Sequence, residues 1–142
     1  MIGLPIIVFL CLVLNGLAKA GNWDDDPKNW ERAFGAPVPK DVLVIHSTYL
    51  RTPHFTREEE FSFQFKAPPG YVTDWVTHEK MRESGPNDEK QIQELKARRP
   101  KWFLPKPPSS YQGWSFPDEP HSNFRLFVDR ETGEVFYTDS QM

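Results

Sequence analysis

The sequence predicts an α+β domain: an antiparallel sheet of about four strands in the order ββ-α-α-ββ, helices on one face, and a wrap rich in proline and aromatic residues. Three observations carry this expectation. Residues 61–66 alternate, with Phe61, Phe63 and Phe65 on one side and Ser62, Gln64 and Lys66 on the other, the period of a half-buried strand. Tyr71, Val72, Trp75 and Val76 follow at helical spacing and can cover the phenylalanine face. Residues 124–129 and 134–137 flank Arg130, Glu131, Thr132 and Gly133, the layout of a hairpin closed by a left-handed glycine. A length of 142 residues suits one domain of about 100–150 residues. It excludes a doubly wound nucleotide enzyme, a barrel or a long repeat array.

The first residues bear on location. Residues 2–14 are almost continuously apolar (IGLPIIVFLCLVL), and Asn15 and Gly16 break the run. Ala18 and Ala20 then place small residues three and one before a cut at Gly21. This is the pattern of a secretory signal peptide, and the apolar run is short beside the ~20 residues of a membrane span. No Lys or Arg precedes the run, so an uncleaved anchor using residues 2–18 stands as the alternative. Cys11 follows Leu10 rather than the small residue usual in a lipoprotein signal, so lipidation is not expected. Loss of residues 1–20 removes the single cysteine and Lys19, making the formal charge of -3 one unit more negative. Such a chain cannot be a disulfide scaffold and must fold on its apolar core. With no Asn-x-Ser/Thr sequon present, a bacterial periplasmic or secreted protein is the better fit. The expected organisation is a signal at 1–20, an arm with a short helix at 21–40, and the α+β domain at 41–142.

Within the arm, Asp26 is placed to cap a short helix with Pro27 at its first position and Gly35 as its stop. Trp30 and Phe34 are four apart and share a helical face. That face either meets a partner or docks on its own domain, and the tendency of large aromatics to be buried favours docking. Residues 36–39 (APVP) reset the chain as an extended connector. Residues 42–50 (VLVIHSTYL) are rich in β-branched side chains and read as the first strand. A second helix is expected at 88–98, held by Ile92 and Leu95 and stopped before Pro100. Residues 99–120 carry many prolines and aromatics, and read as an extended wrap rather than a strand or helix.

No enzyme motif is present: there is no G-x-S-x-G, H-E-x-x-H or P-loop, and no cysteine outside the signal. Ser47 beside His46, or residues 58–60 near His54, form pairs on paper only, since geometry defines a catalytic group. His46, His54, His78 and His121 lack the usual spacing of zinc ligands, so neither a metal nor another cofactor is expected. Asp24, Asp25 and Asp26 lack the spaced acids and glycine of a calcium loop. Lys96, Arg98, Arg99, Lys101 and Lys106 surround Trp102 and Phe103, but the acidic chain and its export weigh against nucleic acid.

The expected function is therefore non-enzymatic binding of another protein in the envelope or outside the cell, with an inhibitor or immunity-type factor as one concrete form. Trp30, Tyr49, Arg51, His54, Trp102 and Trp114 are the candidate anchors, because aromatics and arginine often dominate interface energetics. The loop at 51–56 is the first candidate surface, since sites tend to sit on loops held by a sheet. A membrane-tethered accessory subunit is the runner-up, and a small metal-dependent hydrolase the third reading.

Overall fold

The computed structural model describes residues 20–53, 58–84, 89–116 and 123–141. The expected signal at 1–20 therefore lies, apart from Ala20, outside the described residues, as do His54 and His121. No described helix is long and apolar enough to cross a membrane.

The described residues form seven strands: β1 (Gly21–Asp24), β2 (Leu43–Arg51), β3 (Glu59–Lys66), β4 (Arg82–Glu83), β5 (Tyr111–Ser115), β6 (Arg125–Asp129) and β7 (Val135–Gln141). They make one antiparallel sheet in the order β1-β2-β3-β7-β6-β5-β4. Three helices accompany it: α1 (Asn29–Phe34), α2 (Tyr71–His78) and α3 (Glu89–Ala97). The α+β class stands, but the expected four strands are seven. Residues 21–40, read as an arm, supply an edge strand and a helix packed on the sheet.

Period-2 alternation sorts the core into two layers. On one face, Phe61, Phe63 and Phe65 of β3 join Val135 and Tyr137 of β7, Leu126 of β6 and Tyr49 of β2, with α1 and α2 above them. On the other face, Phe136 and Phe127 pack with Phe103, Leu104 and Tyr111, and α3 contributes Ile92 and Leu95. Helices on one face only is thus corrected. Ile92 and Leu95 are a narrow stripe, and it is the 99–110 segment that brings enough apolar surface to the second face.

That segment also corrects the expected wrap. A 3-10 turn at Pro108–Ser110 leads into β5, which pairs with β6 through Tyr111↔Asp129 and Gly113↔Phe127. Gly113 lets the strand pass: a Cβ there would lie 3.0 Å from two atoms of the Phe127 ring. α1 starts later than expected. Asp26 Oδ1 accepts the Lys28 N–H at 2.8 Å in a turn ahead of the helix, so Pro27 is not its first residue. Gly35 closes the helix in the left-handed region (φ 68°). The expected hairpin is present, with Gly133 at φ 73° and Asp129 Oδ1 accepting the N–H groups of Glu131 and Thr132. Lys106 Nζ ties the turn to the preceding segment, 2.9 Å from Asp129 and 2.7 Å from Glu131.

Among the described residues, buried polar side-chain atoms are paired. Asn29 donates to the Trp23 carbonyl and Ser47 Oγ and accepts from Arg32, locking α1 onto β1 and β2. Thr138, at the sheet centre, donates to the Phe61 carbonyl, shares a 2.9 Å bond with Ser62 and accepts Arg99 Nε at 2.9 Å. Burial lowers the Arg99 pKa from its ordinary value, and Glu60, 3.2 Å from the guanidinium, opposes that shift.

Candidate functional site: an aromatic cleft between two short helices

α1 lays Trp30 edge-on to Phe63 and Phe65, with ring centroids 5.4 Å away in each case. Phe34, one turn on, sits 4.5 Å from Trp30 and 5.4 Å from Tyr137. Gly35 then turns the chain into the extended 36–39 stretch, where Val38 is half-buried and both prolines are exposed. Across the sheet, Gly70 opens α2 in the left-handed region, and Tyr71 and Trp75 fall on one face of that helix. Trp75 packs 5.3 Å from Tyr137 and 6.2 Å from Phe124, while Tyr71 stands edge-on to Phe65. No residue of α2 is fully buried.

The space between the helices is a cleft of about 860 Å³, open on one side. Trp30 and Phe34 form one wall, Tyr71 and Trp75 the other, and Pro37 and Pro39 extend the first wall outward. Ligand pockets commonly span roughly 300–1,000 Å³, are mostly apolar, and carry few polar groups. Here the polar lining is Asp74, Thr77 and His78, with the Tyr71 hydroxyl. Burial pushes the Tyr71 phenol up from its ordinary pKa, so it stays neutral and can donate. His78 faces Glu79 at 3.9 Å. Among the described residues, the Asp74 carboxylate has no hydrogen-bond or ion-pair partner.

Two smaller sites complete the picture. Asp25, at φ 51°, accepts the Ser47 N–H at 2.9 Å and meets His46 Nδ1 at 3.2 Å, beside a pocket of about 280 Å³. His46 stacks on Trp102 at 5.3 Å. Ser47 points to the opposite face of β2 and bonds Asn29, so His46 and Ser47 do not form a nucleophile–base pair. On the α3 face a polar cleft of about 700 Å³ gathers Arg98, Arg99 and Arg125 with Glu60 and Glu94. Among the described residues, no three His, Cys, Asp or Glu side chains converge on a metal position.

The predicted anchors do not form one patch. Trp30 is a wall and floor of the cleft. Tyr49 is buried, stacked 6.2 Å from Phe61. Arg51 lies at the far end of β2, 3.9 Å from Glu59. Trp102 stacks on the opposite face, and Trp114, a half-buried residue of β5, packs against the main core. Of the cleft residues, Trp30 alone was a predicted anchor, and the aromatics Phe34, Tyr71 and Trp75 were not. Their signal was present as two aromatic pairs at i, i+4 spacing, one on each short helix.

Comparison of the chain with protein-family models, curated proteins and solved structures gives no match.

Proposed function

We propose that this chain is a small exported binding protein with no chemistry of its own, and that the cleft between α1 and α2 holds a segment of a partner protein. The observation that supports the reading is the cleft itself: Phe34, Tyr71 and Trp75, each half-buried, stand over buried Trp30 in a space open on one side. Aromatics give much contact area for little ordering cost, and such side chains commonly anchor interfaces. Export is the expectation raised by residues 1–20, and it places the partner in the envelope or outside the cell.

The test is site-specific photocrosslinking in the source cells. A photoreactive residue replacing Thr77, on the cleft rim, should give one discrete adduct, and Trp75→Ala should abolish it. The same residue replacing Thr132, in the distant hairpin turn, should give none. An identical adduct pattern from both positions would sink the reading.

A further inference from the structure

We infer that the cleft takes an arginine side chain from the partner, its guanidinium set against Asp74 and its stem laid on the aromatic walls. The inference rests on the cleft reading above and names the chemistry of what enters. Among the described residues, Asp74 and His78 are the ionisable side chains of the lining apart from the Tyr71 phenol, and no Lys or Arg belongs to it. Glu79 stands beside His78, 3.9 Å from its ring, while Lys40 and Lys80 adjoin the lining only through the chain. An unpaired carboxylate at the mouth of an apolar cleft suits a cation, and the chain's net charge of -3 acts in the same direction.

The ring geometry suits a flat cation in particular. Trp75 stands at 72° to Phe34 on the facing wall, with centroids 6.4 Å apart, so the two walls meet as a corner rather than a stack. A cation over an aromatic face is attracted by the ring quadrupole. Guanidinium is planar, weakly hydrated and able to fork onto a carboxylate, whereas ammonium holds its water more strongly. The three-carbon stem of arginine can lie along Pro37 and Pro39 while the charged end stays near solvent.

The molecule already builds this arrangement once from its own residues. On α1, the Arg32 guanidinium lies over the Trp23 ring at 4.6 Å and reaches the Asp26 carboxylate at 3.2 Å. The cleft lining brings aromatic rings and a carboxylate of the same kinds together.

The experiment titrates the protein, labelled at its tryptophan indoles, with a capped five-residue peptide carrying two arginines. A twin peptide carries citrulline, which keeps the shape and loses the charge. The arginine peptide should shift the Trp30 and Trp75 indole signals and bind at least about threefold more tightly than the twin. Asp74→Asn should erase that preference while the other indole signals stay in place, which shows that the fold is intact. Equal binding of the twin, or a preference that survives Asp74→Asn, overturns the inference. Silence of both indoles toward both peptides overturns it too, and the cleft reading is then judged separately by the Thr77 cross-link.

Discussion

Thr138→Val removes a hydroxyl from the centre of the sheet without changing side-chain volume, so its effect isolates hydrogen bonding from packing. The hydroxyl donates to the Phe61 carbonyl and accepts from Arg99 Nε, with Ser62 as the third partner. The Arg99 side chain is 6% exposed, so water cannot readily replace the lost acceptor. A hydrogen bond involving a charged group contributes about 1.5–3 kcal/mol and a neutral one about 1 kcal/mol. Ser62 can rotate toward another acceptor, which leaves a net loss of about 3 kcal/mol. In a domain of this size that lowers Tm by roughly 10–15 °C. Thr138→Ser keeps the hydroxyl and deletes one buried methyl, costing about 1–1.5 kcal/mol. Thermal and urea unfolding followed by circular dichroism should therefore rank wild type above Ser and Ser above Val. A Val variant as stable as the Ser variant would refute the reasoning, because apolar burial alone would then govern this position.

Gly113→Ala should destabilise by about 1–3 kcal/mol, since buried Phe127 has little room to retreat from a Cβ at 3.0 Å, and Phe127→Leu in the same chain should recover part of the loss in Tm. Burial pushes the Asp129 carboxyl up, but the Lys106 bond and the Glu131 and Thr132 N–H groups outweigh it and hold its pKa below the ordinary value. The associated stability is present above the unfolded carboxyl pKa of about 3.9 and is lost as pH falls through the lower folded value. Asp129→Asn should therefore cost stability at pH 7 and flatten the acid limb of a Tm-against-pH curve, whereas parallel curves for the two proteins would count against the account. Trp30→Ala should cost about 3–5 kcal/mol and Trp75→Ala clearly less, because the first ring is buried and the second half-exposed; equal losses of Tm would contradict the assignment of Trp75 to an open wall.

The parts of this fold that were legible in the sequence are those whose pattern is local. Phe61, Phe63 and Phe65 alternate because one face of β3 is buried under helices, and the alternation reads directly as a strand. The 130–133 turn is equally local, resting on Gly133 and the Asp129 side chain. β5 was not legible, because Gly113 interrupts its apolar period and the ring that fills its place belongs to Phe127 on the next strand. The outer half of β7 (Thr138, Asp139, Ser140, Gln141) reads as polar loop, yet Thr138 is fully buried because its hydroxyl is bonded three ways. β1 and β4 are short and polar, and only pairing with β2 and β5 makes them strands. The cleft follows the same division. Each aromatic pair, Trp30 with Phe34 and Tyr71 with Trp75, was visible as a helical face. That the two faces confront each other depends on how distant strands pair around Tyr137, which no local window contains.

The order of the strands carries a consequence for how the chain reaches this state. β7 is last in the sequence and lies in the middle of the sheet, where it pairs Phe61 with Asp139 and Phe127 with Phe136. Until it is made, β1–β3 and β4–β6 are two half-sheets with no common hydrogen-bond ladder. The ribosome must therefore make β7 before the sheet can close, and sequence-distant pairing of this kind is slow. Until then β3 and β6 each present an unpaired edge to any other strand that reaches it.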